Sequence, residues 1–255
     1  MPQSVDRAIE VVELCSQRPR TVGELAEALG VHRTTALRLV QSLSTAGFLR
    51  KNDSGRLGVG FRLAGLAQSA LAQFDLRSVV HPHIVALSER VGHTIQFAVP
   101  DGNRLIYIDK IEPPNSITLN TRIGGDVVVN TAGVSKAILA ALSPAHRDAI
   151  LANASWQRYT ENTITTAQAM RNRLDQVRQQ GWATDEGEYE TFSNCVAAPV
   201  WGPTGEVAGA ISITAFREKA DIAALKGLVP TLLTTTAAIS ADLGWREPAA
   251  DNAIC

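Results

Sequence analysis

Through the first sixty residues, apolar positions recur every three or four residues in three short runs, and then the period changes. Val5, Ala8, Ile9, Val12, Leu14 and Cys15 keep helical spacing in "SVDRAIEVVELCSQ". That spacing predicts an amphipathic helix with Ser4 as its cap and Pro19 as its stop. Thr21 opens a second, short helix, with Glu24 three residues on as a T-x-x-E capping box. It ends at Gly30, where a positive φ can turn the chain sharply. A third helix covers "VHRTTALRLVQSLSTAG", with Val31, Ala36, Leu37, Val40 and Leu43 on its apolar side and Gly47 at its end. Phe48–Leu49 and Leu57–Val59 then flank "KNDSG", a run of turn formers, so a two-stranded wing is expected.

Residues 62–92 are helical in composition, with a linker helix and a second helix starting near Asp75; Pro82 marks a start or a kink. No Ser/Gly-rich tether separates the halves, so a helix is expected to couple them. From Thr94 the pattern alternates. "TIQFAVPDGNRLIYIDKIE" reads as strand, turn, strand, and "SITLNTRIGGDVVVN" as a further strand and an extended segment. "TAGVSKAILAAL", "SPAHRDAILANA" and "TAQAMRNRLDQVRQQG" return to helical spacing. "NCVAAPVWGPTGEVAGAISIT" is a hairpin, and the closing helix is interrupted near Pro230. The second region is therefore α+β with a mostly antiparallel sheet.

Composition narrows the class. The chain has 255 residues, 45% hydrophobic and 19% charged, so a sizeable core can be buried. No apolar run approaches the roughly 20 residues that span a bilayer. The N-terminus, acidic at Asp6, Glu10 and Glu13, does not read as a signal peptide, so a cytoplasmic protein is expected. Cys15, Cys195 and Cys255 are too widely spaced for a disulfide framework or a metal knuckle. The net charge of −1 hides an asymmetry: residues 1–62 carry 9 basic and 6 acidic side chains, the remainder 15 and 19.

A basic head with this helical pattern suits DNA. Two helices that pack at a fixed angle need small residues at the crossing and apolar anchors; Ala26, Gly30, Ala36 and Leu39 have that spacing. The third helix would then present His32, Arg33, Thr34, Thr35 and Arg38 to a major groove. Arg can bind guanine O6 and N7 bidentately, and Thr a base edge or a phosphate. Thr21 could hold a phosphate through its hydroxyl and backbone N–H, and Arg50, Lys51 and Arg56 of the wing would lie against a backbone or minor groove. The alternative is a three-helix module for protein contacts. A near-neutral total charge is no obstacle, because affinity depends on the phosphates neutralised at the contact.

On these residues the chain resembles the IclR family of transcriptional regulators, from Ser4 to about Gly244. The likeness rests on "SVDRAIEVVELC", "LAEALGVHRTTALRLVQSLSTAGFL" and "GRLGVGFRLAGLA" in the first part. In the second it rests on "LRSVVHPHIVALSERVGHTIQFAV", "IYIDKIE", "TAGVSKAILAAL" and "CVAAPVWGPTGEVAGAISIT". The resemblance implies a winged helix-turn-helix over residues 1–62 and a linker helix over 63–74. A GAF-like effector-binding and oligomerisation domain would cover 75–246, with a disordered tail at 247–255. It implies a regulator of a catabolic operon, more a repressor than an activator, bound to palindromic double-stranded operator DNA as a homodimer or dimer of dimers (a homotetramer). The effector would be a small organic or aromatic acid, and the donors and acceptors among the candidate pocket residues also suit its amide or hydrazide. Its pocket would map onto Gly133 and Val134, Asp185, Cys195, Ser212 and Thr214, beside Asn130. No cofactor, metal or catalytic residue is implied. The chain departs from the family where Asn130 replaces a frequent His, Ser135 a Gly, Asn194 an Arg and Phe192 a Gly.

The residues themselves agree in kind. Gly133 and Val134 start a helix whose N–H groups can hold an oxygen, and Ser212 and Thr214, two apart on a strand, face one side. Each also has a plainer reading. Ser212 and Thr214 could bond across strands, and Asp185 could cap a turn. Cys195 could be an inert thiol or, in a metabolite-handling enzyme with a vestigial DNA module, a nucleophile. Lys136 reads as a support for backbone or packing. Tyr107, Trp156 and Trp201 could line the pocket or the core. His81 and His83 flank Pro82 at a spacing that does not suit a metal pair.

Overall fold

The computed structural model describes residues 3–73, 75–114 and 121–246, divided into two compact units, Met1–Asp75 and Leu76–Cys255. The tail at 247–255 lies outside the described residues.

The first unit contains helices α1 (Gln3–Gln17), α2 (Val22–Ala28) and α3 (Arg33–Thr45), the hairpin β1 (Leu49–Lys51) and β2 (Leu57–Val59), and α4 (Arg62–Gln73). The capping box forms: Glu24 N–H donates to Thr21 Oγ1 at 3.2 Å and Thr21 N–H to Glu24 Oε2 at 2.6 Å. Gly30, at φ 62°, makes the turn into α3. Val11, Cys15, Leu25, Val40, Leu49 and Leu57 form one core, each leucine worth about 1.5–3 kcal/mol of burial. Two expectations are corrected. Ser4 lies inside α1, which already runs from Gln3. Leu37 is 43% exposed, because it stands one helical turn beyond Arg33 on the outer face, and Leu39 packs against the core instead.

The second unit opens with α5 (Leu76–Val91), which runs through Pro82 without a new start, then β3 (Thr94–Asp101) and β4 (Arg104–Ile111). Next come α6 (Gly133–Ala141), α7 (Pro144–Asn153), α8 (Ala167–Gln180), β5 (Ala183–Glu186), β6 (Ser193–Trp201) and β7 (Val207–Phe216). Short α9 (Ile222–Gly227) breaks at Leu228, and α10 (Val229–Asp242) closes the unit, with Pro230 in its first turn. The strands form one antiparallel sheet in the order β4-β3-β7-β6-β5. Alternation sorts the side chains. Ile95, Phe97, Val196, Ile211 and Ile213 belong to the cluster that includes Val80 and Ile84 of α5 and Leu232 and Ile239 of α10. Ala98, Ala197 and Ala210 point the other way, among residues of α6, α7 and α8.

The further strand expected from residue 116 onward falls on residues 116–120, which are not described, and the extended segment after it is described. Thr121–Asn130 makes an isolated bridge, Asp126 to Ile106. A strand not expected, β5, pairs Asp185 with Cys195 at the sheet edge. Among the described residues no helix is long and apolar enough to cross a membrane.

Candidate functional site

The exposed face of α3 carries Arg33, Thr34 and Arg38, with Thr35 partly covered. Neither arginine has an ion pair among the described residues. His32 caps α3: its Nδ1 lies 3.4 Å from the donating N–H of Thr34 and 2.9 Å from the Thr34 hydroxyl. On the wing, Arg50 and Lys51 are exposed, and the Arg50 guanidinium lies over the Phe61 ring. Arg56 differs. It donates to both oxygens of Glu24, at 2.6 and 2.7 Å, and to the Pro19 carbonyl at 3.1 Å. Its charge ties the wing to α2. Thr21 likewise spends its backbone N–H on Glu24, leaving its hydroxyl as the available donor. The Thr21 and arginine contacts hold the Glu24 carboxyl down at about 2.

In the second unit, a cavity of about 150 Å³ lies on the α6 side of the sheet. This face is alanine where α6, α7 and α8 cover it and polar farther along the strands, at Gln96, Ser212 and Thr214. Gln96 joins Ser212 and Thr214: both hydroxyls donate to its Oε1 at 3.3 Å, while its amide donates to Thr121. Gly133, Val134, Asp185 and Cys195 complete the wall at the head of α6 and the edge of β6. Gly133 must be glycine here, because a Cβ would fall 2.5 Å from Cys195 Sγ and 3.3 Å from Ala197 Cβ.

Asn130 is not part of the lining. Its amide donates to the Gln157 and Ile164 carbonyls at 2.9 and 2.8 Å, pinning the segment after α7. Trp156 and Trp201 pack against the core beside α6. His81 and His83 go to different carboxylates, Asp109 and Asp242. No group of three or more His, Cys, Asp or Glu side chains among the described residues could hold a metal.

Behind the wall, Lys136 is fully buried. Its ammonium donates to the Thr131 carbonyl at 2.6 Å, the Thr184 carbonyl at 2.8 Å and Glu188 Oε1 at 2.7 Å. It thus ties the loop before α6 to β5. Asp185 accepts the Glu188 N–H at 2.7 Å. Burial raises the Asp185 carboxyl, against the pull of Lys136 and that N–H. Burial likewise lifts Glu188 to about 7, with Lys136 opposing, and pushes Cys195 up to about 12. A thiol so far from ionising is a poor nucleophile.

Sequence reading passed over Gln96, Tyr189 and Glu190 on the lining and Glu188 behind it. Gln96 carried a signal: it is a polar residue inside an otherwise apolar strand. Glu188 and Glu190 lie in a polar stretch with no periodicity to mark them.

Two family profiles match the chain: "IclR helix-turn-helix domain" over residues 4–53 and "Bacterial transcriptional regulator IclR C-terminal" over 68–241. The chain is 28% identical over 246 residues to the HTH-type transcriptional regulator XynR of Escherichia coli (strain K12), covering 95% of this chain and 98% of that protein. It is 28% identical over 217 residues to the transcriptional repressor IclR of the same organism, covering 83% and 79%. Among solved structures, the Thermotoga maritima IclR is similar at 26% identity with a TM-score of 0.64, over 94% of this chain and 98% of that one. These relatives are transcription regulators, not enzymes.

Proposed function

Because this chain belongs to the IclR family of transcriptional regulators, we propose that it represses a catabolic operon and leaves or rearranges its operator when a small molecule fills the cavity beside α6. The observation that carries this reading is the cavity itself, walled by Gly133, Val134, Asp185, Cys195, Ser212 and Thr214. The effector is a small organic or aromatic acid, or its amide or hydrazide. Residues 1–62 bind DNA, 63–74 form the linker, and 75–246 bind effector and oligomerise. The protein acts in the cytoplasm as a homodimer or dimer of dimers on a palindromic site. Half-exposed Val5 and Ile9 on α1, beside an apolar groove of Leu39, Leu43 and Phe48, support self-association.

In the proposed DNA face, Arg33, Thr34, Thr35 and Arg38 read bases, with His32 at the head of the helix. Thr21, Arg50 and Lys51 contact phosphates, and Arg56 anchors the wing. Asn130 shapes the cavity through the loop it pins. Footprinting on DNA upstream of the chain's own gene and its neighbours tests the reading. A protected palindrome is expected, lost in the Arg33→Ala, Arg38→Ala double variant. Unchanged protection in that variant refutes the assignment of α3. The reading as a metabolite-handling enzyme has no observation in its favour, since Cys195 is held as the thiol.

A further inference from the structure

The cavity carries an unusual charge pattern for an acid-sensing site. Among carboxyl and basic groups its lining is all acidic: Asp126, Asp185 and Glu190, with no Lys, Arg or His. Cations near the wall are committed elsewhere. Lys136 spends its three donors on two carbonyls and Glu188. Lys110 holds the Thr121 carbonyl and pairs with Glu112 at 2.7 Å. Arg104 pairs with Asp101 and with Asp126 at the rim, and Arg122 is exposed, its side chain against Gly125. Residues 115–120, which precede Thr121 of the lining, read "NSITLN" and contain no charge.

The open hydrogen-bonding groups complete the pattern. Gln96 is largely committed: its Oε1 accepts from Ser212 and Thr214, and one of its two amide hydrogens goes to Thr121. Tyr107 lines the cavity, is 6% exposed, and its hydroxyl has no partner among the described residues. Burial holds that phenol protonated, so it can donate. Val134 also lines the cavity, at the second position of α6, where a helix N–H has no intrahelical acceptor. The lining thus offers donors, the Tyr107 hydroxyl and the Val134 N–H, to a carbonyl oxygen, and acceptors, Asp185 and Glu190, to an N–H.

We infer that the effector of this chain is a small uncharged molecule with both a carbonyl oxygen and an N–H donor, a carboxamide or hydrazide, and that the corresponding carboxylate is rejected. The inference rests on the effector reading of this cavity. A carboxylate placed there would meet two carboxyl groups with no facing cation, and desolvation would go uncompensated. An amide has the same shape, suits both the donors and the acceptors of the lining and brings no charge. The volume of about 150 Å³ is below the roughly 300–1,000 Å³ of drug-sized clefts, which suits a short acyl or single-ring amide.

The test is a set of isosteric pairs on the full-length protein at pH 8: propionamide with propionate, benzamide with benzoate, isonicotinamide and isonicotinic hydrazide with isonicotinate. Binding is read by calorimetry and thermal shift. At least one amide or hydrazide is expected to bind, at least about tenfold tighter than its acid, or about 1.4 kcal/mol. That ratio should shrink in the Asp185→Asn, Glu190→Gln double variant, as the acid gains. An acid binding as tightly as its amide, or no amide binding at millimolar concentration, overturns the inference. An amide preference that stays unchanged in both the double variant and Tyr107→Phe, with folding intact, refutes the cavity as the site.

Discussion

Lys136 Nζ and Glu188 Oε1 lie 2.7 Å apart with both side chains out of solvent, and Glu188 Oε2 has no hydrogen-bond partner among the described residues. The pair joins α6 to the segment after β5, and the same ammonium holds the Thr131 and Thr184 carbonyls. Removing one charge of a buried pair costs about 3–5 kcal/mol, much of it from the charge left behind. Lys136→Met should therefore lower the stability of the second unit by that order. Adding Glu188→Leu should restore part of it, because the two carbonyls stay without their donor. Tryptophan fluorescence in urea isolates the effect, since all four tryptophans, Trp156, Trp182, Trp201 and Trp245, belong to the second unit.

A pH dependence follows from the same carboxyl. Glu188 is raised from 4.5 to about 7 by burial, opposed by Lys136 and Arg173 and reinforced by Asp185. A raised folded value means that folding takes up a proton. The stability it contributes is full below about 4.5 and is lost as pH rises through about 7. Asp185 and Glu190 shift in the same direction. The fluorescence-detected urea midpoint should fall across this window, and Glu188→Gln should flatten the fall. An unchanged slope in Glu188→Gln would assign the dependence to the other two carboxyls.

The sequence made local features legible and non-local ones obscure. The Thr21–Glu24 box, the turn at Gly30 and the wing depend on neighbours within a few residues, so their signals survive in the linear chain. β5 does not: "ATDE" has no strand pattern, and only pairing with β6 makes it one. The segment Thr121–Asn130, read as extended, lies beside β4, with the Val127 N–H donating to the Leu105 carbonyl, before it leads into α6. The head of α6 was readable from "TAGVSKA". The partner of Lys136, fifty-two positions on, was not, because nothing in the sequence brings Glu188 beneath that helix.

Gly133 and Cys195 offer a test of close packing. A methyl group at Gly133 would meet Sγ at 2.5 Å, and overpacking of this kind costs about 1–3 kcal/mol. Gly133→Ala should destabilise the second unit by that amount and shrink the cavity. Cys195→Ala removes the sulfur, so the double variant should recover part of the loss despite Ala197 Cβ at 3.3 Å. A double-mutant cycle by urea unfolding measures the coupling. Additive losses would mean that the backbone of α6, not the sulfur, absorbs the methyl.

On the DNA side, two arginines of the same charge are set apart by their partners. Arg50 is exposed without an ion pair among the described residues, while Arg56 is bound to Glu24 through two hydrogen bonds and to the Pro19 carbonyl. If Arg50 contacts a phosphate, Arg50→Ala should weaken operator binding and flatten its salt dependence by about one counterion. Arg56→Ala should leave that slope nearly unchanged, because Glu24 already offsets its charge. Its loss should instead loosen the wing, because the contact that joins it to α2 goes with it. Hydrogen exchange should then quicken at Arg20 and Leu57, whose backbones pair across that junction. Equal losses of salt slope in the two variants would place Arg56 on the DNA and leave the wing without its proposed anchor.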